Sequence, residues 1–301
     1  MLRIVLFLAT NLAVMLMAGL IINLFGLGHV FQHGQMQLSS LFWVCLIWGS
    51  LGALISLLLS KWIARTSTGA EIIEQAHNDG ERWLLNTVAE LAERVGINMP
   101  EVAIFDSAQA NAFATGWNRN DAMVAVSTGL LQRMSRDEVR AVLGHEIGHV
   151  ANGDMVTLAL IQGVLNAFVM FFARIIGNFV DRNLLNNESD APGLAYYVTS
   201  FIGDLVLGLL ANIILMAFSR YREFRADAAG AQLAGPAAMI AALQRLQQEQ
   251  SLPDPMPQDL HALCITEGAR STGIHLAALL ASHPPLEARI EALRALAMHG
   301  S

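Results

Sequence analysis

The sequence predicts a mainly α membrane protein: four transmembrane helices carrying an α+β domain on the cytoplasmic side. Three observations lead there. Of its 301 residues, 54% are hydrophobic and only 14% charged, with a mean hydropathy of +0.46, whereas ordinary soluble domains carry about 25% charged residues. Four apolar runs each reach the ~20 residues that cross ~30 Å of hydrocarbon as a helix. Between the second and third runs, short alternating stretches of strand type appear among helical ones.

The first run covers roughly 4–27 (IVLFLATNLAVMLMAGLIINLFGL), the second roughly 38–60, the third roughly 155–180 and the fourth roughly 194–218. Run one is too long for the apolar core of a secretory signal and lacks a clear cleavage pattern. Basic residues set the orientation. Arg3 precedes run one, Lys61 and Arg65 follow run two, and Arg220, Arg222 and Arg225 follow run four. The first connecting loop, GHVFQHGQMQ, has no lysine or arginine, and the second, at about 181–193, sets Arg182 against Asp181, Glu188 and Asp190. The positive-inside rule then places both termini and the 61–154 segment in the cytoplasm. The chain divides into a transmembrane hairpin at 1–65, a cytoplasmic part at 66–154, a second transmembrane hairpin at 155–218 and a second cytoplasmic part at 219–301.

Residues 70–95 read as one helix. VAIFD at 102–106, NAFATGW at 111–117 and AMVAVS at 122–127 read as strands, and NRND at 118–121 suits a hairpin turn between the last two. A helix starting near Ser135, with Asp137 and Glu138 in its first turn, runs straight into run three. After run four the chain is helical to about 248, then a proline-rich loop (LPDPMPQD) leads to helices near 258–281 and 286–298. A net charge of −7, with basic residues in small clusters, argues against nucleic acid as a partner. Cys45 and Cys264 lie far apart and imply neither a disulfide framework nor a cysteine zinc site.

GHEIGHV, residues 144–150, carries the chemistry. On a helix, His145 and His149 are one turn apart on one face. Two imidazoles so placed can bind one tetrahedral Zn²⁺, and Glu146 beside them can take a proton from water and pass it to a leaving amine. Gly148 leaves room close to the metal. A catalytic zinc needs a third protein ligand and an open position. The motif precedes one membrane hairpin, and SRYREFRADAAG at 219–230 follows it, so an up-and-down hairpin brings the two together. There Glu223 and Asp227 share a helix face: one can ligate while the other receives the N–H of a ligating histidine, and spacing alone leaves the choice open.

Over nearly its whole length the chain resembles the HtpX family of bacterial membrane-bound zinc metalloproteases. The resemblance rests on RIVLFLATNLAV, ERWLLNTV, NAFATG, VAVSTGLL, HEIGHVANGDMVT, SRYREFRADA, MIAALQRL and HPPLEARIEALR, in the expected order and spacing. It implies a zincin-like endopeptidase of the gluzincin type, with one zinc ion per chain, in the bacterial inner membrane. By that resemblance His145, His149 and Glu223 are the metal ligands, Glu146 the catalytic base and Asp227 the acid behind the ligands. Misfolded or damaged membrane proteins are the implied substrates, and the lipid bilayer the surrounding medium.

NAFATG reads as an alternating strand beside the motif helix; the resemblance implies an edge strand to which a substrate backbone adds, with Asn111 and Phe113 bordering the cleft, and the alternative is a plain core strand with Phe113 buried. His283, ahead of two prolines in SHPPLEARI, either donates to the oxyanion of a tetrahedral intermediate, with Arg289 in support, or belongs to a helix-entry turn that docks the last helix. His29, His33, His77, His261, His275 and His299 read as surface or packing residues. Inside run four, Asp204 needs a partner, and Arg174 of run three is within reach. Gln162, Asn166 and Asn212 add hydrogen bonds between helices. A transporter with a regulatory zinc is disfavoured by the absence of a broken-helix pair, and a silent scaffold by Glu146, which it does not need.

Overall fold

The computed structural model describes residues 31–32, 35–249, 281 and 283–299. Run one, the helix near 258–281 and His29, His33, His261 and His275 lie outside the described residues. In chain order the elements are β1 (Phe31–Gln32), β2 (Gln35–Met36), α1 (Leu38–Leu58), α2 (Ser60–Thr68), β3 (Glu71–Ile72), α3 (Asp79–Val95), β4 (Glu101–Phe105), β5 (Ala112–Asn118), β6 (Asp121–Ser127), α4 (Thr128–Arg133), α5 (Arg136–Asn152), α6 (Asp154–Phe179), a π-helical turn at Val180–Leu184, α7 (Leu194–Ala234), α8 (Pro236–Glu249) and α9 (Leu286–His299). They form two compact units. One holds the described residues up to Ser56 with Ala159–Asn212; the other holds Leu57–Leu158 with the described residues from Ile213 onward.

The first unit is built of apolar helices. Among the described residues, three helical stretches are long and apolar enough to cross a membrane: Leu38–Leu58, Asp154–Leu184 and Leu194–Ala234, of 21, 31 and 41 residues. Their large side chains point outward. Leu160, Val164, Phe168, Phe172 and Ile176 form an exposed stripe along α6, and Phe201, Ile202, Leu205 and Val206 are exposed on α7. Helices buried in a protein core do not look like this; helices solvated by lipid do. α1 meets α6 through small residues, since a Cβ on Gly49 would lie 2.5 Å from the backbone nitrogen of Ala167. Arg174 Nη1 donates to Asp204 Oδ2 at 2.7 Å, the pairing expected between runs three and four. Among the described residues Gln162 and Asn166 pair with each other rather than across helices: Gln162 Nε2 donates to Asn166 Oδ1 at 2.7 Å within α6, since residues four apart on one helix are neighbours.

The second unit is the α+β part. Its sheet has the order β3-β4-β6-β5, with β4 parallel to β6 and the other pairs antiparallel. The expected helix over 70–95 is shorter. Glu71 and Ile72 pair with Ile104 and Ala103 as β3, and α3 starts only after Asn78, whose side chain accepts from Glu81 N. The hairpin closes at Asn118 opposite Asp121, as NRND predicts. β5 ends the sheet, with no further strand beside it among the described residues. One sheet face packs on α5, and α3 and α8 pack on α5 in turn, in one core that includes Leu84, Leu91, Val124, Val142, Ile147 and Leu243. The other covers Ala64 of α2 with Phe105, Phe113 and Met123.

Two helix ends position the site. α5 opens on a capping box: the Ser135 hydroxyl accepts from Glu138 N, and the Glu138 carboxylate accepts from Ser135 N. It does not run straight into the membrane helix. Gly153 takes the left-handed conformation (φ 67°, ψ 31°), donates to the carbonyls of His149 and Val150, and ends α5 before α6 begins at Asp154.

Candidate metal centre

α5 and α7 run antiparallel in very close contact, zipped by residues without large side chains. A Cβ on Gly144 would lie 3.2 Å from Gly230 Cα, and one on Gly148 would lie 2.8 Å from Ala229 Cβ. Gly148 therefore does not make room for a metal, as the sequence suggests; its bare side admits α7. This register sets His145 opposite Asp227 and His149 opposite Glu223. All four side chains are buried, at 8% exposure or less.

The ligand-type atoms converge. His145 Nε2 and His149 Nε2 are 3.2 Å apart. Glu223 places Oε1 3.2 Å from His149 Nε2 and Oε2 3.6 Å from His145 Nε2. Two ligands ~2.0–2.1 Å from a tetrahedral zinc are about 3.3 Å apart, so the three fit one such ion. Two further observations agree. Glu223 Oε1 is buried and has no hydrogen-bond partner among the described residues. Around it the buried acids Glu146, Asp154, Glu223 and Asp227 face two buried guanidiniums, Arg222 and Arg289, a balance of charge that a divalent cation would complete.

Each ligand-type side chain has a partner behind it. His145 Nδ1 lies 2.9 Å from Asp227 Oδ1, and Arg289 grips Asp227 with Nε at 2.8 Å and Nη2 at 2.7 Å. His149 Nδ1 lies 2.6 Å from Asp154 Oδ2. His283 Nδ1 lies 2.8 Å from Glu223 Oε2, and its Nε2 is buried without a hydrogen-bond partner among the described residues. Burial pulls the His145 imidazole down to about 4, against the opposing hydrogen bond of Asp227. Burial also pushes the Glu146 carboxyl up to about 7, against the pull of His149. For His149, burial opposes the charged form but is outweighed by Glu223 and Asp154, which carry it up to about 9. These shifts belong to the chain alone; a cation within the cluster inverts the balance and holds both histidines neutral.

His145, Glu146, His149, Glu223, Asp227 and His283 are thus brought together in one unit. Arg289 is fully buried and belongs to the same network. Asn111 and Phe113 are buried in the sheet part of the same unit. Asn111 is buried at the start of the hairpin, where its N–H donates to Ser127 Oγ and its carbonyl accepts from Ser127 N. Phe113 is 1% exposed and packs its ring against Phe105 at 5.5 Å, on the sheet face turned to α2. Its ring is part of the core rather than of an exposed surface. Sequence reasoning missed Asp154. The signal was Gly153 just before it, which marks a helix end where the apolar pattern suggests continuity.

Three comparisons with known proteins bear on this geometry. The profile described as Peptidase family M48 matches residues 78–297. A protein named Protease HtpX from Acinetobacter baumannii (strain AYE) is 58% identical over 299 residues, covering 98% of this chain and 99% of that one. Another of that name, from Pseudomonas putida (strain W619), is 61% identical over 296 residues, with the same coverage of 98% and 99%. Among solved structures, the crystal structure of S. mikatae Ste24p matches with a TM-score of 0.65 at 20% identity, covering 97% of this chain and 64% of that one. That last likeness is one of fold.

Proposed function

This chain belongs to peptidase family M48, among its HtpX proteases, and from that premise we propose a zinc endopeptidase that cuts misfolded or damaged membrane proteins on the cytoplasmic side of the bacterial inner membrane. A membrane-bound metalloprotease is the coarser statement, and the family together with the apolar helices carries it. The single observation behind the finer one is the buried cluster of His145, His149 and Glu223 with Glu146 beside it.

In this reading His145, His149 and Glu223 hold one zinc ion. When bound, the ion supplies Lewis-acid chemistry, polarising a carbonyl and making water more acidic. The chain's own groups do the rest. The Glu146 carboxylate takes a proton from the attacking water and returns it to the leaving amine. His283, whose buried Nε2 has no hydrogen-bond partner among the described residues, donates to the developing oxyanion. Asp227 holds His145 in the tautomer that leaves Nε2 bare, and Arg289 holds Asp227. β5, which starts beside Asn111 and is the last strand of the sheet among the described residues, is the strand to which the substrate would add. Such pairing uses substrate backbone, which suits chains that have lost their fold. The lysines and arginines flanking the apolar runs support the cytoplasmic side.

The test is cleavage of casein by the full chain purified in detergent, first with a chelator and then with zinc restored. Wild type is expected to regain cleavage with zinc, and Glu146→Gln to bind the metal yet lose at least about a hundredfold in rate. No cleavage by zinc-loaded wild type would sink the endopeptidase reading.

A further inference from the structure

We infer that Asp154 is a positioning residue of the metal centre: its carboxylate holds His149 in the Nδ1–H tautomer, with Nε2 bare toward His145 and Glu223. This rests on reading those three residues as metal ligands. Asp154 is 3% exposed, and its Oδ2 lies 2.6 Å from His149 Nδ1. A carboxylate only accepts, so at that distance the ring nitrogen donates. The other ring nitrogen is then free to ligate, as Asp227 arranges for His145. The two histidines therefore have separate acids, one from α7 and one from the start of α6.

The backbone makes the second pairing possible. Asp154 is five residues beyond His149. On an unbroken α-helix that offset turns a side chain about 140° away around the axis, and the two cannot meet. The left-handed Gly153 ends α5 and turns the chain, so that Asp154 opens α6 with its side chain directed back at His149. A role confined to capping α6 as a first-turn acid accounts for neither the burial nor the short contact.

The experiment measures zinc affinity of the full chain in detergent by competition with a coloured chelator, for wild type, Asp154→Ala and Asp154→Asn. Unfolding temperature is followed in parallel with the metal removed. We expect Asp154→Ala to weaken zinc binding about 10–100-fold. Asp154→Asn, whose side-chain carbonyl still accepts from Nδ1–H, should recover most of that loss. If Asp154→Ala does not fold, Asp154→Leu is read in its place, because it keeps the volume and removes the acceptor. Zinc affinity within twofold of wild type, with only the metal-free unfolding temperature lowered, would mean a purely structural role and overturn the inference. A wild-type chain that binds no zinc would overturn this inference and the ligand assignment together. Intact wild-type binding with unchanged variants would overturn this one alone.

Discussion

Arg289 shows how much one buried side chain holds in place. Its guanidinium is fully buried and makes a two-pronged contact with Asp227, which in turn faces His145. Removing the cation leaves a buried carboxylate unpaired, which typically costs about 3–5 kcal/mol. Arg289→Met is therefore expected to lower the unfolding temperature sharply and to weaken zinc binding. Arg289→Lys should recover only part, because an ammonium is a point charge without the planar fork. Thermal unfolding in detergent checks the first effect, and equal stability of wild type and Arg289→Met would refute it. At this scale the sequence was legible where helical periodicity decides: residues 145 and 149 must share a face, as must 223 and 227. Asp154 was not legible, because its contact depends on one residue's backbone conformation. Nor did alternation along β5 say which face of the sheet Phe113 would take.

Among the elements, the α5–α7 pair sets the site, and its spacing is controlled by what is missing from it. Gly148 has Ala229 Cβ 2.8 Å from where its own Cβ would stand. Gly148→Ala must push the helices apart or distort them, at about 1–3 kcal/mol for overpacking of this kind. Because Glu223 and the histidines lie on opposite sides of that seam, zinc affinity should fall along with stability. Gly208→Ala on α7 is the control, since an added methyl there meets nothing within 4 Å. The expectation fails if the two substitutions have equal effects on zinc affinity. Elements with strong end signals were readable in advance: the capped start of α5 and the NRND hairpin stand where the residues say. The short β3 was hidden within a helical pattern, because two residues paired to β4 carry almost no local signature.

For the whole molecule, metal and fold are linked. An ion bound only by the folded state stabilises it by about 2.7 kcal/mol at a hundred times its dissociation constant. The unfolding temperature in detergent should thus rise as zinc is added to chelator-treated protein. In His149→Ala the rise should be largely absent, and a rise of equal size would place the ion elsewhere. The order of the residues along the chain has a consequence in time. His145 and His149 are synthesised first, and Glu223 and Asp227 follow only after the stretch containing most of α6 and α7. His283 and Arg289 are later still. At the usual pace of ~5–20 residues per second, about 7–30 seconds separate the first ligand from the guanidinium that neutralises Asp227. Until residue 289 is made, Asp227 lacks the guanidinium that holds it, so the full set of contacts around His145 exists only from that point on.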